Sequence, residues 1–166
     1  MVHLARNLAQ VRARIERAVE RSGHDREVTL IVVTKYVSAD VVNELLELGV
    51  QHVGESRVQD AERKFTQIKK PCQKHLIGTL QRNKVGKALE LFDLIHSVDR
   101  IPLVETISRR AGDRTVDVLL QVNVSGETTK HGVKPEELPA LAEAASQAGN
   151  IRVRGLMTMA PYTENS

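Results

Sequence analysis

The sequence predicts an α/β fold of the (β/α)8 barrel type, and three observations carry that expectation. Helical and strand patterns alternate strictly along the 166 residues. The strands are short apolar runs, as in parallel sheets covered on both faces. The first strand, "VTLIVVTK", runs into "YVSAD" with no glycine, whereas a doubly wound nucleotide fold would place a Gly-rich phosphate loop there. Alternation alone allows a doubly wound sheet or a barrel. The missing glycines favour the barrel, although about six strands are legible and closure needs eight.

The elements follow in order. Leu4, Leu8, Val11, Ile15 and Val19 recur at helical spacing, so residues 2 to 22 form a helix that Gly23 stops. Residues 28–35 are the first strand. Ser38 or Asp40 caps a helix carrying Val41, Val42, Leu45, Leu46 and Leu48, ended by Gly49. "QHVGES" (51–56) is the second strand, and Ser56 with Gln59 reads as a capping box for a helix to about Lys69. "KHLIGTL" (74–80) and "DLIHSV" (93–98) are strands three and four. They are followed by helices over 82–91 and from Asp99 to about Arg110. "VDVLLQVNV" (116–124) is the fifth strand. Pro135, Glu136 and Glu137 open a helix that Gly149 ends. "IRVRGLMTMA" (151–160) is the sixth strand. No composition break divides residues 1–166, so one domain is expected.

Composition narrows the class. A hydrophobic fraction of 41% and a charged fraction of 27% are those of a soluble globular chain. No apolar run reaches the roughly 20 residues that cross a bilayer, and the amphipathic N-terminus lacks a secretory h-region. The single cysteine, Cys72, excludes an internal disulfide framework and points to the cytoplasm. The net charge is +3, but acids interleave the basic residues and no aromatics punctuate them, so no specific nucleic-acid partner is expected.

Chemistry in a parallel α/β fold gathers at the C-terminal strand ends. Those ends carry Lys35, Glu55 with Ser56, His75 with Thr79, Ser97 with Asp99, and Asn123 with Ser125. Lys35 closes the most apolar strand. An apolar surround lowers a lysine pKa and leaves a nucleophilic amine that condenses with an aldehyde; the alternative is a packed stem with its amine in water. Ser56 is also a helix cap, His75 also a hydrogen-bonded barrel residue, and Asn123 also a loop tether. Met157 and Met159 read as core. No two histidines have metal-ligand spacing on a helix. "GTLQRNKVGK" lacks the Walker ending, and no nucleophile elbow occurs.

The succession "VVTK", "VGESRVQD", "HLIGTLQRNKV", "IHSVD", "LLQVNVSGETTKHG" and "GLMTMAPY" resembles the pyridoxal phosphate homeostasis proteins. These are single-domain barrels of the alanine racemase N-terminal type. The resemblance implies pyridoxal 5′-phosphate (PLP) held as an aldimine on Lys35, with Ser56, His75, Asn123 and Met157 as further candidate cofactor-binding residues. It assigns no catalytic residue and no metal. It implies a role in vitamin B6 homeostasis by buffering or delivery, with PLP-dependent apo-enzymes as recipients and no membrane. A racemase-like enzyme is the alternative; it needs a second base, and Tyr36, next to Lys35, is expected to point elsewhere, with Tyr162 the only other tyrosine. Two departures stand out. Ser56 replaces the asparagine usual after "GE". The family's late segments, expected to hold the phosphate and face the pyridine nitrogen, have no counterpart here, so the domain is expected to be C-terminally incomplete. Weak PLP retention and pairing of the edges of strands one and six with another chain are the corresponding expectations.

Overall fold

The computed structural model describes residues 2–23, 27–127 and 130–159. Six parallel strands lie in sequence order, β1-β2-β3-β4-β5-β6. β1 is Val32–Val33, β2 His52–Glu55, β3 Gln73–Leu76, β4 Leu94–Val98, β5 Val116–Gln121 and β6 Ile151–Met157. α1 (Val2–Ser22) precedes the sheet. The crossovers are α2 (Ala39–Glu47), α3 (Val58–Phe65), α4 (Val85–Leu91), α5 (Ile101–Ala111) and α6 (Leu138–Gln147), with short 3-10 turns leading into α4 and α6. The alternation expected from sequence is present, and the strict 1-to-6 order is that of a barrel wall rather than a doubly wound sheet.

The elements are shorter than their patterns. The expected first strand of 28–35 pairs only at Val32 with Val53 and Val33 with Gly54. The expected capping box is absent: Arg57 is the residue before α3 and Ser56 makes no cap bond. Other contacts end the helices. Arg12 of α1 donates to the carbonyls of Leu48 (3.3 Å) and Gly49 (2.9 Å), which closes α2 and docks α1 on it. Asn150 donates from its amide to the carbonyls of Ser108 and Gly112, satisfying the C-terminal end of α5.

The two sides of the sheet differ. Val53, Leu76, Ile95, Val118 and Leu120 face the helices and are buried against Leu103, Ile107 and Leu141. The inner face is read from Gly54, where a Cβ would lie 3.3 Å from both Ile31 and Ile77. Strand alternation then puts His52 and His75 on that same face. They join His96 in a chain: His52 Nδ1 lies 3.0 Å from His75 Nε2, and His75 Nδ1 lies 2.9 Å from His96 Nε2. The strands are thus not apolar on both faces as expected; an imidazole ladder crosses β2, β3 and β4 inside. Burial lowers the pKa of His96, and burial followed by the charges of His96 and His52 lowers that of His75 from 6.5 to about 4. At the edges Val33, Val153 and Leu156 remain exposed.

Two outcomes follow. Ile107→Ala, at a fully buried position, costs about 2–5 kcal/mol, while Val153→Ala stays within about 1 kcal/mol, both read by urea denaturation. Because folded His75 resists protonation while the unfolded imidazole accepts a proton near pH 6.5, its contribution is complete above that pH. That contribution is lost as the pH falls from 6.5 to about 4. Denaturation of His75→Asn across this window shows a flatter decline than the parent.

Candidate functional site

The site is built from the way β1 ends. Thr34 continues the ladder through its N–H to the Gly54 carbonyl (2.9 Å). Its side chain turns to the helix-covered face, where it is fully buried. There Thr34 Oγ1 donates to Glu55 Oε1 at 2.7 Å. Lys64 Nζ, from α3, donates to the same carboxylate oxygen at 2.5 Å and to the Thr34 carbonyl at 2.7 Å. Glu55 and Lys64 are both buried, so a lysine–glutamate pair sits behind the sheet and grips the hydroxyl and the carbonyl of Thr34. Buried ion pairs add little net stability compared with apolar packing, but breaking one leaves an uncompensated charge. What this pair contributes is position: it fixes the residue before Lys35.

On the other side of Lys35 the chain turns sharply. Tyr36 has φ 69°, a left-handed conformation that is uncommon for a tyrosine. Lys35 thus stands between a clamped threonine and a turn, at the C-terminal end of the sheet. It is exposed rather than buried, which corrects the expectation of an apolar surround. The strand is too short to carry it into the layer, so its amine reaches water and lies 5.6 Å from the centre of the Tyr36 ring. Tyr36 therefore does not point elsewhere; the turn brings both side chains to the same cleft.

That cleft is about 700 Å³, and Lys35, Tyr36, Ser56, Arg57, Asp60, Gly78, Thr79, Gln81 and Lys84 are among its lining residues. It lies across the ends of β1, β2 and β3. Gly78 is required there: a Cβ would fall 2.1 Å from the Ser56 carbonyl oxygen, which backbone cannot yield cheaply. The loops after β2 and β3 consequently touch, and Ser56 and Thr79 are brought beside Lys35.

The remaining candidates are elsewhere. His75 lies inside the imidazole ladder, and its two ring nitrogens are occupied there. Asn123 Nδ2 donates to the carbonyls of Glu127 and Lys130, and its Oδ1 accepts from Ser125, so it ties its own loop. Met157 is half-buried in β6 and does not line the cleft with Lys35. Met159 is 59% exposed rather than core, since it lies past the end of β6. Tyr162 lies outside the described residues. Among the described residues no group of three or more His, Cys, Asp or Glu side chains could hold a metal ion, and no helix is long and apolar enough to cross a membrane. Lys64, Arg57, Gln81 and Lys84 were not anticipated. Lys64 had a signal: it falls in the buried stripe of Val58, Ala61 and Phe65, where a lysine needs a partner.

A wall of ordered parallel strands with polar groups at its C-terminal end is a barrel-type ligand scaffold, and residues 6–166 match the family model described as "Alanine racemase, N-terminal domain". An alanine racemase from Clostridium difficile, 15% identical with a TM-score of 0.65, shares the fold over 89% of this chain and 40% of its own. Sequence relatives are nearer. The chain is 42% identical to a pyridoxal phosphate homeostasis protein of Pseudomonas aeruginosa, with 96% of this chain and 71% of the relative covered. It is 41% identical to the one of Aquifex aeolicus, over 95% and 71%. PipY of Synechococcus elongatus, in a structure with PLP bound, superposes with a TM-score of 0.76 at 37% identity, covering 89% of this chain and 70% of that one. The chain belongs to the pyridoxal phosphate homeostasis protein family.

Breaking the pair behind Lys35 has a defined signature. Lys64→Met strands the buried carboxylate and costs about 3–5 kcal/mol; adding Glu55→Gln in that background recovers part of the loss, measured as a double-mutant cycle in urea. Gly78→Ala forces the Ser56 backbone to move and lowers stability by about 1–3 kcal/mol, readable in the same assay.

Proposed function

We propose that this chain binds PLP in the cleft at the ends of β1 to β3, with Lys35 as its covalent anchor, and that it buffers or delivers the vitamer rather than turning over a substrate. The observation that carries this reading is the position of Lys35: an exposed amine on a clamped backbone, inside a cleft of a size that suits a small ligand. Lys35 would hold the group, which would supply an aldehyde carbon to the lysine amine. Arg57 and Lys84 add two further cations to the lining against the single carboxylate of Asp60, so the cleft favours an anionic ligand. Asp60 is itself engaged by Arg63 at 2.5 Å. Ser56 and Thr79 offer hydroxyls, and Gly78 leaves the backbone open to close approach. PipY with PLP bound supports the choice of ligand. His75, Asn123 and Met157 have no part in this reading, because their partners or positions lie elsewhere. We assign residues 1–166 to one barrel-type domain.

Delivery to PLP-dependent apo-enzymes rests on the homeostasis role named in the relatives. An exposed anchoring lysine fits reversible release, because water reaches the linkage. The racemase-like alternative gains one observation, the Tyr36 side chain lining the same cleft as Lys35. Racemisation needs two bases on opposite faces of one carbon, and two adjacent residues of one turn do not straddle a substrate.

Trapping decides the anchor. With PLP added and reduced by borohydride, mass spectrometry finds the label on Lys35, and Lys35→Ala removes it; an equal label elsewhere in the variant defeats the assignment. Incubation with alanine and PLP in deuterated water leaves the α-proton unexchanged, and exchange that depends on Tyr36 would establish the racemase-like reading instead.

A further inference from the structure

A second cleft opens beside the first, between the connection from β3 to α4 and the outer surface of α5. It measures about 520 Å³ and is lined by Gln81, Arg82, Asn83, Thr106, Arg109 and Arg110. Its two walls come from different parts of the chain, so no local sequence requirement puts the three arginines together. Among the described residues none of the three guanidiniums donates a hydrogen bond or forms an ion pair. No carboxylate lines the cleft; Glu105, one helical turn before Arg109, does not pair with it. Cations in the last turn of α5 complement its dipole, which accounts for Arg109 and Arg110 but not for Arg82 on the opposing wall.

Three guanidiniums around one concavity repel each other, and a multiply charged anion relieves that repulsion. Guanidinium forks match phosphate oxygens two at a time, while Gln81 and Asn83 add neutral amide donors. The volume is that of a small-ligand site. No aromatic side chain lines it, so nothing is present to stack a base. We propose that this cleft binds a small phosphate-bearing anion through Arg82, Arg109 and Arg110. It is a site distinct from the Lys35 cleft, and Gln81, which lines both, makes the two contiguous. The site does not depend on the reading of Lys35, since none of its three arginines touches that lysine's cleft.

Pyrophosphate is a suitable probe, titrated into the isotope-labelled protein and followed by amide resonances. Saturable shifts are expected at residues 81–83 and 106–110, and they persist in Lys35→Ala. Each single alanine substitution of the three arginines weakens binding by about tenfold. Arg82→Ala/Arg109→Ala/Arg110→Ala abolishes the shifts while leaving the thermal midpoint and the labelling of Lys35 by PLP intact, since all three side chains are exposed. Shifts that survive the triple variant, shifts that fail to saturate, or capture of a long polyanion such as heparin without pyrophosphate would overturn the proposal, the last by showing a general basic face.

Discussion

The buried contact between Lys64, Glu55 and Thr34 governs the functional end of this fold. Lys64 Nζ meets the Glu55 carboxylate at 2.5 Å and the Thr34 carbonyl at 2.7 Å, so α3, β2 and the end of β1 meet at one point. β1 pairs through two residues only and would otherwise be weakly held. The second carboxylate oxygen of Glu55 is buried with no hydrogen-bond partner among the described residues. Such an arrangement is costly, and it persists where position matters more than stability. Everything proposed for Lys35 depends on the backbone this contact fixes.

The cleft follows from that constraint. With Thr34 held, Lys35 is presented outward and Tyr36 completes the turn. The loops after β2 and β3 close on each other through Gly78 and Ser56. Deeper inside, the imidazole ladder takes over from hydrocarbon as the cross-link between β2, β3 and β4. Burial depresses the proton affinity of His75 and His96, which keeps those two rings neutral near pH 7 and spares the interior their charge.

The architecture was legible because alternation and apolar runs report burial directly. Lys35 was legible as a polar break at the end of "VTLIVVT". Its exposure was not, because an apolar run does not show where ladder pairing stops, and β1 pairs only at Val32 and Val33. The role of Glu55 was hidden for a related reason: one residue decides whether a side chain faces the cleft or the helices, and Glu55 and Ser56 fall on opposite sides. His75 and Asn123 looked like site residues because they sit near strand ends. The partners of His75, which are His52 and His96, are fixed by tertiary pairing that spacing does not encode, whereas Asn123 bonds Ser125, Glu127 and Lys130 close by in its own loop. The arginine cleft was present in sequence only as basic residues at 82, 109 and 110; bringing two walls together requires the fold.

On the proposed function, the buried pair places Lys35 for its chemistry. The direct measurement is the rate at which PLP is captured at Lys35 in the parent and in Glu55→Gln, each at a temperature where circular dichroism shows it fully folded. The expected outcome is a folded variant whose capture at Lys35 is slowed while labelling of other surface lysines is unchanged. Equal capture rates at Lys35 in the two proteins would contradict it.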